Sequence, residues 1–112
     1  MLEYFYLASL CVQAIHGTEA LLTGTHRRWY VFKTSFAAMF VWEVLFLGFW
    51  VIVYALQSFP FREYLMPVFM LLMFANGLQH VIWASWEKRY VPGLITAPLH
   101  VVVFVLYFFW IL

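Results

Sequence analysis

Four apolar stretches, each close to the length that crosses a bilayer, leave this chain few ways to fold. A membrane helix needs roughly 20 predominantly apolar residues. The polar breaks fall at that interval: Gly24-Thr25-His26-Arg27-Arg28, Ser58-Phe59-Pro60 and Lys88-Arg89-Tyr90-Val91-Pro92-Gly93. Helices are expected over about 3–23, 34–57, 62–88 and 93–112. Glycine and cations suit a helix C-terminus, and proline disfavours helix at the residue before it. The 112 residues are 67% hydrophobic and 23% aromatic. A soluble domain of this size has too little interior to hide such a surface. The expectation is one all-α integral membrane domain over 1–112, a four-transmembrane-helix antiparallel bundle joined by short loops.

Loop charges predict the orientation. Arg27, Arg28 and Lys33 follow the first segment, Lys88 and Arg89 follow the third, and only Arg62 lies at the opposite end. The positive-inside rule then puts loops one and three in the cytoplasm and both termini on the non-cytoplasmic side. The opening Met-Leu-Glu-Tyr has no positive n-region, so the first segment reads as retained rather than as a signal peptide. Membrane lipid is the expected surrounding. A net charge of +1 gives no field for nucleic acid. A single cysteine, Cys11, cannot pair internally, and the sequence leaves homo-oligomers open. No glycine-rich phosphate loop, serine nucleophile elbow or CxxC knuckle is present.

The apolar segments nevertheless carry His16, Glu19, Glu43, Asn76, Gln79, His80 and His100. A charged side chain at mid-bilayer costs at least about 2.5–3.5 kcal/mol, so such groups face one another or a bound ion. Counting from the cytoplasmic ends at about 1.5 Å per residue puts Glu19 about 8 Å deep, His100 about 10, His16 and His80 about 12, Glu43 about 15 and Asn76 about 18. Four helices thus place polar groups in one layer. Spacings of three and four align Gln13, His16, Glu19 or Ala20, and Thr23, then Met73, Asn76, Gly77, His80, Ala84 and Glu87, then Thr96 and His100, each on one helix face. Pro98 is expected to free the carbonyl of Leu94, and Gly77 to allow close helix approach.

Each group has a plain reading and a chemical one. His16 and Glu19 form an i, i+3 pair, either a packing hydrogen bond or a ligand pair like those of bundle metal proteins. Glu43 has no local cation, so it is protonated, paired with a histidine or bound to metal. His80 is a ligand or base. Asn76 is expected to orient an imidazole from outside the ligand shell, and Gln79 to support a cofactor or merely join helices. His100 either ligates or bonds across helices.

The strings His16-Gly17-Thr18-Glu19, Asn76-Gly77-Leu78-Gln79-His80 and Arg89-Tyr90-Val91-Pro92-Gly93-Leu94-Ile95-Thr96-Ala97 resemble the HXXEE domain family of small multi-span bacterial membrane proteins. The resemblance runs from the first helix to the start of the fourth. It implies a membrane fold, a bacterial inner-membrane location and a shared polar site. The family's name motif has two adjacent glutamates, and the second is Ala20 here. Either that carboxylate is dispensable or Glu43 supplies it from the next helix.

The leading expectation is an intramembrane metal site, with His16, Glu19, Glu43, His80 and His100 as ligands for zinc, iron or manganese. An open coordination position would let a metal-bound water act on a lipid or isoprenoid-like substrate entering sideways. The main alternative is a metal-free enzyme in which His16 or His80 is the base and Glu43 the protonated acid. A proton-coupled small carrier and a structural membrane subunit complete the field.

Overall fold

A computed structural model describes all residues, 1–112. It is all-helical, without strands: α1 Leu2–Thr23, α2 Thr25–Arg28, α3 Phe36–Ala55, α4 Arg62–Glu87 and α5 Ala97–Ile111. The four long helices match the four apolar segments. The one-turn α2 was not anticipated. The sequence presents Gly24–Arg28 as a helix-ending, charged break, and four residues are too few to show a period.

The helix ends follow local chemistry. Gly24 adopts the left-handed conformation (φ 90°) and its N–H returns to the Ala20 carbonyl, closing α1. The Ser35 hydroxyl accepts from the Ala38 N–H at 3.1 Å and opens α3. The expected start of the last helix at residue 93 is corrected to Ala97. Gly93 has φ +87°, outside the helical region, and Pro98 lies in the first turn of α5. There its missing N–H would be unpaired in any case, so Pro98 starts the helix and does not kink it.

Contacts fix the relative directions. Tyr6 pairs with Trp50 and Gln13 with Glu43, so α1 and α3 run oppositely. Tyr6 meets Phe69 and His16 meets His80, so α1 and α4 run the same way. Phe5 against Tyr107 and Phe74 against Phe104 set α5 antiparallel to both. The two cationic loops, 24–35 and 88–96, therefore lie at one end. Arg28 joins them, reaching the Glu87 carboxylate at 3.4 Å and the Tyr90 carbonyl at 3.2 Å.

The two ends of the molecule differ in kind. At the end away from these loops, Tyr6, Leu10, Trp50, Val53, Met66, Phe69, Met70, Met73 and Tyr107 form an apolar core. Arg62 locks that end. Its guanidinium donates to the Val53 and Tyr54 carbonyls at 2.8 and 2.7 Å and to Glu3 at 2.8 Å, satisfying the last carbonyls of α3. Toward the cationic loops the interior becomes polar. Only Trp50 and Val53 of α3 are buried, both in its second half. Its first half stands away from α4, because the aromatic contacts between them lie at Phe46 and Trp50 against Phe69.

Candidate functional site

Three imidazoles meet in the polar half. The His16 ring lies 4.6 Å from that of His80 and 5.3 Å from that of His100, centroid to centroid. All three are buried. They come from α1, α4 and α5, and two glycines permit the approach. A Cβ on Gly77 would stand 2.5 Å from the Ala97 carbonyl oxygen and 3.0 Å from the His100 Cβ, so only glycine lets α4 and α5 close here. A Cβ on Gly93 would stand 2.8 Å from the His16 Cε1 and 2.9 Å from the His80 Cε1. The Pro92-Gly93 turn is the floor on which those two rings rest.

The hydrogen bonds fix protons on two of the rings. Glu19 receives Tyr90 Oη at 2.5 Å, Ile95 N at 3.1 Å, Thr96 N at 2.9 Å and Thr96 Oγ1 at 2.6 Å. Four donors converge on this carboxylate, so it acts as the acceptor. Thr96 has spent its hydroxyl proton on Glu19 and can only accept from His16 Nδ1, 2.8 Å away. His16 therefore carries its proton on Nδ1 and its lone pair on Nε2. At His100 the Gln13 amide does the same work. Gln13 Oε1 accepts from His100 Nε2 at 3.0 Å, and Gln13 Nε2 donates to Glu43 Oε2 at 3.2 Å. The lone pair of His100 is then on Nδ1, which is buried without a partner, as is Nδ1 of His80. Two relays result, Glu19–Thr96–His16 and Glu43–Gln13–His100. Each ends on a carboxylate and leaves one bare ring nitrogen.

The five expected ligands thus form one connected network with divided roles. His16 touches both His80 and His100. Glu43 joins through Gln13, and Glu19 stands outside Thr96. No group of three His, Cys, Asp or Glu side chains is placed to hold a metal ion as the rings stand. Asn76 departs from expectation. Its Oδ1 accepts from Gln79 Nε2 at 3.1 Å and no imidazole is bonded to it. Gln79 in turn accepts from Trp29 Nε1 at 3.2 Å and pins loop one to α4. Facing the same way on a helix does not decide which neighbour a side chain reaches, and Gln79 is only one turn from Asn76.

A cavity of about 660 Å³ opens beside the cluster, between α1, the first half of α3, and α4. His16, His80, Gln13, Glu43, Asn76 and Gln79 supply its polar wall. Glu19 and His100 lie outside it. Glu43 reaches this wall over Gly17, where a Cβ would stand 2.7 Å from its Oε2. Ala20 lines the same cavity.

Gln13, Thr96, Tyr90 and Gly93 are the residues whose roles escaped sequence reasoning. Gln13 and Thr96 show in the sequence as members of a polar helix face, and Tyr90 and Gly93 in the Tyr90-x-x-Gly93-x-x-Thr96 spacing. In the structure Tyr90 and Thr96 clasp Glu19, while Gly93 admits the two rings. Burial, and then the neighbouring Glu19 carboxylate, push the Tyr90 phenol above its ordinary value, so Tyr90 keeps the proton it donates.

No match is found among curated proteins or among solved structures. A family model described as "Protein of unknown function with HXXEE motif" matches residues 3–108. That span holds nearly the whole chain, including His16, Glu19, the Asn76–His80 string and the Tyr90–Thr96 clasp, and it places this chain in the HXXEE family.

Proposed function

We propose that this protein is a membrane-embedded acid–base site acting on a small apolar molecule held in the α1–α3–α4 cavity. The observation that carries the reading is the Glu19–Thr96–His16 relay. A carboxylate holding one imidazole nitrogen through a hydrogen bond fixes the tautomer, orients the ring and favours the imidazolium once it forms. His16 Nε2 is then the nitrogen free to take a proton. Glu43, on the same cavity wall with only an amide for a partner, is the group suited to give one back. Asn76 and Gln79 would hydrogen-bond the bound molecule.

The membrane reading rests on where the apolar surface lies. α3 and α4 are long and apolar enough to cross a bilayer, with mean hydropathy 2.2 and 1.6. Only 11% of the α3 window is buried. A core helix of a soluble protein shows the reverse, so this helix needs an apolar surrounding. At 20 and 26 residues the two are about 30 and 39 Å long, enough for the hydrocarbon layer. α1 and α5 pack against them and would share that layer, giving four spans. The cationic end faces the cytoplasm in this reading, and both termini face out.

A specific observation favours a second reading. The bare, buried Nδ1 atoms of His80 and His100 are what a metal ion would satisfy. Zinc, iron or manganese would then be held by three imidazoles after ring rotation. Glu19 and Glu43 would support those rings from behind instead of binding the ion.

Two measurements separate the readings. Wild-type protein and His16→Gln, in nanodiscs in D2O, are given neutral lipids extracted from membranes. Acid–base chemistry predicts carbon-bound deuterium in one lipid with wild type and none with the variant. Elemental analysis of protein purified without chelator or polyhistidine tag then decides the metal. One equivalent of metal without exchange would replace the first reading by the second. Well under one equivalent, and no change of melting temperature on adding metal, removes the second.

A further inference from the structure

The cavity also limits what can occupy it. Of its 18 lining residues, none is lysine or arginine, and Glu43 is the one carboxylate. In the proton-giving form proposed above Glu43 is neutral, so a buried phosphate, carboxylate or ammonium group would find no charge of opposite sign on this wall. At this end Arg28 bonds Glu87 and Tyr90 and Arg89 pairs with Glu87 at 3.6 Å, while Arg27, Lys33 and Lys88 also lie outside the cavity lining.

The polar atoms that do face the cavity are neutral donors and acceptors. At the loop end, Thr25 Oγ1 and His26 Nδ1 are buried without hydrogen-bond partners, and both residues line the cavity. Thr25 is only 3% exposed. Those two atoms have no exposed surface, so the polar side chains a ligand meets are Gln13, His16, Thr34, Asn76, Gln79 and His80, to which a hydroxyl or carbonyl can bond without introducing charge. Trp29, Phe32, Met39, Trp42 and Phe46 supply much of the apolar lining. They form a channel fit for a hydrocarbon chain, along the side where α3 stands off from α4. The volume suits a single small molecule and is too small for a two-chain lipid with its headgroup.

Resting on the cavity assignment above, we infer that the ligand is a neutral, single-chain oxygenated hydrocarbon, an alcohol, aldehyde or ketone that carries no phosphate, carboxylate or ammonium group. Its chain enters from the bilayer between α3 and α4. Its oxygen bonds to the neutral polar atoms of the wall. Phosphorylated isoprenoids are excluded by the same charge argument, which narrows the substrate class expected from sequence.

The test uses bromine quenching of the cavity tryptophans Trp29 and Trp42 in nanodiscs of neutral lipid. The probes are 12-bromododecan-1-ol, 12-bromododecyl phosphate and 12-bromododecylammonium. The alcohol should quench saturably and be competed by plain dodecan-1-ol. It should bind at least about tenfold more tightly than the phosphate, given the cost of an unpaired buried anion. Ala38→Phe fills the cavity from an exposed position of α3 and should abolish the saturable component, while the protein keeps its helicity and elution volume. Phosphate or ammonium binding as tightly as the alcohol would overturn the assignment, and so would saturable quenching that survives Ala38→Phe. Purely linear quenching by the alcohol also overturns it. Binding and exchange are read on the same wild-type protein. Binding without deuterium exchange would therefore refute the chemistry and leave the ligand class standing.

Discussion

Replacing Gly93 by alanine tests the imidazole cluster at its floor. Gly93 has φ +87°, where a Cβ costs about 1–2 kcal/mol. The added methyl would also stand 2.8 Å from His16 Cε1, 2.9 Å from His80 Cε1 and 3.0 Å from His80 Nδ1. These rings are buried and His16 is held by Thr96, so one of them must move. Overpacking of this kind costs about 1–3 kcal/mol. The sum is about 2–5 kcal/mol. Gly24 supplies the control. Its φ is +90°, but the atoms its Cβ would meet belong to the end of the Arg27 side chain, which can swing aside. Gly24→Ala should therefore show the backbone cost alone, about 1–2 kcal/mol. Denaturant titration in detergent, with both variants and wild type side by side, gives the difference. Nitrogen-15 spectra of the histidines report whether His16 keeps its proton on Nδ1. If Gly93→Ala and Gly24→Ala cost the same within about 0.5 kcal/mol and the His16 signals do not move, the rings do not rest on Gly93 as described.

Thr96→Val should cost about 1–3 kcal/mol and leave His16 as a mixture of tautomers by nitrogen-15 NMR, because the only acceptor for its Nδ1–H is gone; Thr96→Ser should restore both. Arg62→Ala should cost about 2–3 kcal/mol by unfolding titration, since two carbonyls at the end of α3 lose a charged donor. Glu3→Gln should cost about 1 kcal/mol or less, because that carboxylate is half-exposed. In a background with Cys11 replaced by alanine, cysteines at Arg28 and Lys88 should label from the cytoplasmic side and one at Ser58 from outside; labelling of Ser58 from the cytoplasm would reverse the proposed orientation.

The order and extent of the helices were legible in the sequence. Apolar length and the Gly24, Pro60 and Pro92-Gly93 breaks act locally, and local signals survive into the fold. The expected boundaries lie within about two residues of those found, except at the last helix. There the error had a physical cause. Pro98 was read as an interior kink, whereas a left-handed Gly93 had already turned the chain before the helix began.

The residue types of the site were also legible, because polar groups inside apolar segments are costly and must be used or paired. Their division of labour was not. Sequence spacing put His16 beside Glu19 as an i, i+3 pair, but the carboxylate turned toward Tyr90, Ile95 and Thr96, more than seventy residues away. Four donors there outcompete a single neighbouring imidazole. Glu43 went to Gln13 because α1 and α3 run antiparallel at that level. Which hydrogen bond a side chain makes depends on donors that other helices bring to it, and one helix's periodicity holds no record of them. Apolar length and polar spacing specify four apolar helices with a polar layer in them; the packing of those helices brings His80 and His100 onto His16, sets Glu19 behind Thr96 and ties Glu43 to Gln13.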